Sequence, residues 1–590
     1  MVRSTVAGKP GGIRMHDLVI RNGRVIDGTG APAVLADVAV DGGRITAVGT
    51  VTEPGREEID AAGLTVTPGF VDVHTHYDGQ ATWDPLLIPS IWHGVTTVVM
   101  GNCGVGFAPA APDRRDWLIG LMEGVEGIPG AAMREGIQWD WESVGEYLDA
   151  LDRLPHAIDV AAQIAHGAVR AFVMGERGAA NEPATADDIA RMAEIVQAGV
   201  AAGAIGLSVN RLELHKAKDG REVPGTFADL DEILALAHAV AAGSPDAVFS
   251  TILPQAAGGD RAVWDEQIDW LSRLSRETGL AVTFAFGASA DGSDGWRGRL
   301  ARIEQENAHG ARLYPQVGSH RQGMLCGLRT LHPFLGRPSY ATLADLPVAE
   351  RAARMADPAV RSAILAEHAT PGTPRLAELM LMQSDAVFPT APLPELEPDP
   401  ATSLRAQAAA TGRDPYELLY EWTIADDGQA LVHFFLGGYP GSLDASLELM
   451  SHPMSVLGLG DGGAHLDIIC DCGYPSFVLG YWARERTRGT LALEDAIKIL
   501  TSEPAALYGF DDRGVVAPGR KADLNVLDTD AVRPLPVEIV FDLPTDAKRI
   551  IQRADGFVAT IVDGEVVQRA GVDTGARPGR VIRPTVSATS

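Results

Sequence analysis

The chain is poor in cysteine, in positive charge and in uninterrupted apolar sequence, and each shortage removes a class of function. Four cysteines among 590 residues, none in a Cys-x-x-Cys pair, argue against a disulfide framework. Cys326 reads as a buried thiol, and Cys470-Asp471-Cys472 stands alone. Against 78 Asp and Glu there are only 49 Lys and Arg, a formal charge of -29 with no basic run. Phosphate binding draws on clustered cations, so a nucleic-acid partner is not expected. Such acidity repels anions at long range, and a carboxylate-bearing substrate would need arginines at the site. No apolar run approaches the ~20 residues of a membrane helix. Residues 1–14 are Gly-rich and basic without an apolar stretch, so they read as a disordered tail, with Met15 an alternative start. The expected compartment is the cytoplasm; a homo-oligomer is left open.

Core material is plentiful, with 46% hydrophobic residues, and the length exceeds the roughly 250–300 residues at which one core stops growing. From 15 to 68 short alternating strands are punctuated by turns such as Asn22-Gly23, and the same texture returns over 506–580, followed by a tail at 581–590. Both ends are predicted to build one small composite β-sandwich. Between 69 and 505 apolar strands alternate with helical periodicity, as in the segments 186–201, 229–242, 263–278 and 296–309. The predicted strands are 70–76, 96–102, 159–166, 204–210, 248–253, 282–287, 312–317 and 456–461. That order predicts an α/β fold, a (β/α)8 TIM-type barrel, with insertions near 107–155 and 320–445 as lids or subdomains.

His74-Thr75-His76 ends the first of these strands. A strand alternates its side chains, so the two imidazoles share a face at chelating distance. Asp461 ends the eighth strand, in Gly460-Asp461-Gly462-Gly463, where it can ligate a metal, take a proton from an attacking water and deliver it to a departing amine. In a barrel such strand ends converge. Arg211 and His215 open the loop beyond the fourth strand. His320 and His465 are expected at the barrel mouth, and all four are candidate substrate contacts.

The stretch Thr67-Pro68-Gly69-Phe70-Val71-Asp72-Val73-His74-Thr75-His76, with Gly101-Asn102-Cys103-Gly104 and Gly460-Asp461, resembles the amidohydrolase superfamily and, within it, the N-acyl-D-amino-acid deacylases. The return Thr501-Ser502-Glu503-Pro504-Ala505 is also similar. The resemblance implies a metal-dependent hydrolase of a linear amide, with a small-molecule substrate. It implies that Cys103 joins His74, His76 and Asp461 as a metal ligand; imidazole, carboxylate and thiolate together suit zinc. It places Tyr314 of Tyr314-Pro315 at the substrate, and His166 and Arg170 near the cleft, where Arg170 could pair with a carboxylate. The chain departs from the pattern on strands five and six, which offer no histidine. One zinc is therefore expected, or two if His166, His215, His320 or His465 replace the missing ligands. Alternatives are a cyclic-amide or other C–N hydrolase, a nucleophilic-cysteine hydrolase with His166 as base, and a degenerate barrel that binds without turnover.

Overall fold

The computed structural model describes residues 15–288, 294–373, 375–390 and 395–584 of the chain. The expected tail at 1–14 lies outside these residues. Eight apolar stretches form short strands: β1 (Phe70–Asp72), β2 (Val95–Met100), β3 (Asp159–Ala162, resumed at Ile164–Ala165), β4 (Gly206–Asn210), β5 (Val248–Ile252), β6 (Ala281–Ala285), β7 (Leu313–Val317) and β8 (Val456–Leu457). Each pairs in parallel with the next. The series then returns towards its start: Thr75 bridges Gly462 in parallel, and the His76 N–H donates to the Gly462 carbonyl at 2.7 Å.

Parallel strands must be covered on both faces, which is why they read as near-continuous apolar runs. Outside them lie the helices Ala186–Ala201, Leu230–Gly243, Arg261–Thr278 and Gly295–Ala308, each within two residues of its expected bounds. Their starts are written locally; Thr185 and Asp188 form a reciprocal capping box on the first. Val71, Val73, Val99, Ala161, Ile205 and Val248 pack with Tyr508 and Phe510 in one buried cluster.

Both chain ends share one nine-stranded sheet, in which Thr65–Pro68 lies antiparallel to Leu524–Leu527. Two expectations need correction. The segment 506–580 is not one unit, because the hairpin Arg533–Leu543/Ala547–Asp555 leaves that sheet and packs Val537, Ile539 and Ile550 against Leu325 and Leu431. Nor is 581–584 a tail: Val581 bridges Val160 in parallel and the Ile582 N–H donates to the Val160 carbonyl at 2.8 Å.

The 107–155 insertion supplies three helices, Arg115–Glu126, Gly130–Gly136 and Val144–Asp152. The 320–445 insertion builds an antiparallel sheet from Gly323–Cys326, Val387–Pro389 and Val432–Phe435, with helices and apolar clusters of its own. Cys326 is fully buried there. Among the described residues no helix is long and apolar enough to cross a membrane.

Candidate metal centre

Beyond β1 the chain stays extended, so His74 and His76 face the same side with ring centroids 5.4 Å apart. His74 Nε2 lies 3.4 Å from Cys103 Sγ and 3.4 Å from Asp461 Oδ1, and His76 Nε2 lies 3.8 Å from that same oxygen. Ligand-capable atoms of His74, His76 and Cys103 all fall within 4.8 Å of one another. His74 Nδ1 sits 2.8 Å from Gln316 Oε1 on β7; an N–H donated there leaves Nε2 as the lone-pair atom facing the cluster. Gln322 Nε2 donates to Asp461 Oδ2 at 2.7 Å, which turns Oδ1 inward.

The Gly-Asn-Cys-Gly turn is shaped by what it passes. Gly101 and Gly104 have φ of +81° and +71°, and a Cβ on them would stand 2.4 Å from the Gln163 carbonyl and 2.6 Å from the Asn210 nitrogen. Only glycine meets both demands. Between them Cys103 itself is left-handed, at φ 54°, as are Asp461 at 46° and His465 at 48°. Left-handed non-glycine residues gather where the surroundings over-determine them. Asn102 provides that determination, donating to the Thr75 and Val99 carbonyls at 3.1 and 3.0 Å while accepting from Gln163 Nε2 at 2.8 Å. Ser250 of β5 in turn donates to Gln163 Oε1 at 2.7 Å. On β5 and β6 the inward polar residues are thus hydroxyls that tie strands together, not imidazoles.

Burial leaves a surplus of acid here. It pushes Asp72 up to about 8 and Asp78 up to about 7, and carries Glu126 and the Cys103 thiol well above their usual ranges, Asp461 adding to the effect on Asp72, Glu126 and Cys103. Burial, then His74, His465 and His215, drives His76 well below the usual imidazole range. Among the described residues no Lys or Arg comes within 4.0 Å of these carboxyls or of Asp461; Glu126 and Asp461 have histidines beside them instead. Buried acids without a cationic side chain, next to two imidazoles, a thiol and a carboxylate, fit a bound divalent cation, and the donor set is that of zinc.

His215 and His465 join this cluster. Burial, followed by the repulsion of His465, lowers His215 to about 4, and His465 is lowered by burial against the pull of Asp461. Three other expectations are corrected. His166 and Arg170 are committed elsewhere: His166 Nε2 lies 2.8 Å from Glu232 Oε1, and Arg170 Nε donates to the same oxygen at 2.8 Å. That also removes His166 as the base of a cysteine nucleophile, since His74 is the imidazole beside Cys103. Tyr314 lies at the wrong end of its strand, beside Arg312, Pro453, Ser455 and Leu507, whereas Gln316, two residues on, reaches His74.

Arg211 Nη1 donates to the Ala228 carbonyl at 2.6 Å. His320 stacks edge-on to Phe477, and burial lowers it to about 4. It lines a cavity of about 300 Å³ with Arg321, Gln322, Gly458 and Leu459, beside Asp461. Arg321 contacts only the Ala288 and Leu436 carbonyls, at 3.1 and 3.4 Å, and has no carboxylate partner among the described residues. Sequence reasoning missed Gln316, Gln322, Arg321 and Glu126. For Gln316 a signal existed, because it stands next to last on β7, near the strand end where the chemistry is expected.

The sequence pattern of the amidohydrolase family matches residues 57–568. The chain is 28% identical to a D-aminoacylase of Alcaligenes xylosoxydans xylosoxydans over 97% of its own length and 98% of that protein's. An N-acyl-D-aspartate deacylase of the same organism is also 28% identical, with 99% and 97% covered. Among solved structures, a D-aminoacylase studied for its binuclear metal centre superposes with a TM-score of 0.62 at 25% identity, covering 96% of this chain and 100% of that one. With a match running through both the strand series and the sheet formed by the chain ends, this chain belongs to the amidohydrolase family.

Proposed function

We propose that the protein hydrolyses the amide of an N-acyl-D-amino acid, or a closely similar N-acyl compound, at a single zinc held by His74, His76, Cys103 and Asp461. The observation that carries this reading is the convergence of those four donors, with Asp461 braced by Gln322. Its relatives are a D-aminoacylase and an N-acyl-D-aspartate deacylase, which makes the chain a hydrolase of C–N bonds outside peptides. The parallel pairing of β1 to β8 and the Thr75–Gly462 bridge support a closed (β/α)8 barrel with the centre at its C-terminal ends. The solved D-aminoacylase is described as activated by one metal and attenuated by a second. Here β5 and β6 carry no histidine, which favours one.

Bound zinc would lower the pKa of water towards ~7 and polarise the acyl carbonyl. Asp461 Oδ1 accepts the proton of the attacking water, whose oxygen bonds the acyl carbon. As the C–N bond breaks, the same carboxyl returns that proton to the departing nitrogen, and the second water proton passes from the product acid to the amine, so the products part as a carboxylate and an ammonium. Gln322 keeps Oδ2 occupied, so proton traffic falls to Oδ1. The substrate carboxylate is assigned to Arg321, whose fork faces the cavity beside Asp461 with only carbonyls for company.

The test combines elemental analysis with turnover of N-acyl-D-amino acids. One zinc per chain is expected, lost in His74→Ala, with Asp461→Asn reducing kcat at least 10²–10⁴-fold, the range of general acid–base catalysis. Turnover by Asp461→Asn at the wild-type rate would sink the mechanism, and a chain that takes up no metal would sink the centre.

A further inference from the structure

Glu126 is the last residue of the helix Arg115–Glu126 and is 1% exposed. Its Oε1 stands 3.4 Å from His76 Nδ1, and neither atom has a hydrogen-bond partner. Its other oxygen lies 3.6 Å from His465 Nε2, and its backbone carbonyl accepts the His465 N–H. A buried carboxyl with no cationic side chain, facing an orphaned ring nitrogen, is a costly arrangement unless something completes it.

The two histidines of the centre are otherwise treated alike. Each turns Nε2 towards the Cys103–Asp461 donors and Nδ1 outward, and the outward nitrogen of His74 already meets Gln316 at 2.8 Å. For His76, among the described residues, the acceptor facing Nδ1 is Glu126, and the gap is a few tenths of an ångström beyond the ordinary 2.7–3.2 Å bond. We infer that Glu126 is the positioning residue of the loaded centre: its carboxylate accepts the Nδ1–H of His76, committing Nε2 as the ligand atom, and its second oxygen holds His465 at the mouth. The inference rests on the reading that these donors bind zinc. A carboxylate behind a ligating imidazole fixes its tautomer and raises its basicity, and removing such a partner typically weakens metal binding 10–100-fold. Gln316, a neutral amide, does less for His74. The insertion at 107–155 therefore enters the centre through one side chain.

The experiment measures zinc affinity of the full-length protein by competition with a chromophoric chelator, for wild type, Glu126→Gln and Glu126→Ala. Loss of about 10–100-fold is expected in Glu126→Ala. A smaller loss is expected in Glu126→Gln, whose amide oxygen can still accept. The cobalt-substituted forms give a second readout, with a ligand-field spectrum altered in both variants. Should Glu126→Ala not fold, the near-isosteric Glu126→Gln carries the test, with the ¹⁵N shifts of His76 in the zinc form. Unchanged affinity and spectra in the variants, with zinc tight in wild type, would overturn this inference alone. A wild-type chain that binds no zinc would overturn it together with the centre.

Discussion

At the residue scale the site is decided by which polar groups are spent and which are left over. Arg170 is spent on Glu232, whereas Arg211 and Arg321 contact backbone carbonyls alone; of the three, Arg321 is the one that lines the cavity beside Asp461. Arg321→Met should therefore raise KM for N-acyl amino acids about 10–100-fold, the size of one charge-assisted pair of ~1.5–3 kcal/mol, with a smaller change in kcat. Hydrolysis of the matching N-acyl amine, which lacks the carboxylate, should not respond. Equal losses on both substrates would show that Arg321 shapes the cavity instead of reading charge. The convergence of His74, His76 and Asp461 was legible because strand ends announce themselves in sequence. The role of Tyr314 was not, since a Tyr-Pro pair says nothing about which end of the strand faces the chemistry. For His166 and Arg170 the deciding partner, Glu232, lies on a helix more than sixty residues away. Glu126 gave no sign at all: a Glu closing a helix is ordinary until the fold brings His76 to it.

Between elements, one clamp holds the 320–445 insertion region to the catalytic side of the molecule. Glu397 accepts from Arg486 Nε and Nη2 at 2.8 and 2.9 Å, a bidentate pair in which both side chains are under 10% exposed, and Tyr481 donates to it as well. Burial works to raise the Glu397 carboxyl, but the bonds from Arg486 and Tyr481 prevail and hold it at about 2, below its ordinary 4.5. A depressed carboxyl stabilises the folded state fully above its unfolded pKa and loses that contribution as pH falls through the folded one. The clamp is thus complete above about 4.5 and weakens towards about 2. Amide exchange in 395–445 and 474–486 should rise selectively over that window in wild type. In Glu397→Gln it should be raised already at neutral pH and respond less to acid; a variant matching wild type at every pH would contradict the clamp.

Across the whole molecule, the strand series and the sheet made by the chain ends meet through a buried ionic group. Arg513 and Lys521, just before the final strands, both pair with Asp159 at the start of β3; Lys521 also lies 3.1 Å from Asp523, and Arg513 Nη1 bonds Thr97 Oγ1 at 2.9 Å. Removing one partner of a buried pair leaves uncompensated charge and costs about 3–5 kcal/mol. Asp159→Asn should therefore lower the apparent Tm by several degrees, read by scanning calorimetry, while zinc content per folded chain stays at the wild-type value. A Tm unchanged by the substitution would mean that Asp523 alone neutralises both cations. The alternation of strand and helix was readable from periodicity. The return of 579–582 to the edge of β3 was not, because four residues carry no period and their register is set by Val160.

That shared sheet has a consequence for how the chain is made. His16–Pro68 leave the ribosome long before the strand they need, since Thr65–Pro68 wait for Leu524–Leu527, about 450 residues later. At roughly 5–20 residues per second the wait is about 20 to 90 seconds. For that time a strand edge is unpartnered, so the early segment must depend on its own hairpins, or on a chaperone, to stay soluble until Leu524–Leu527 arrive.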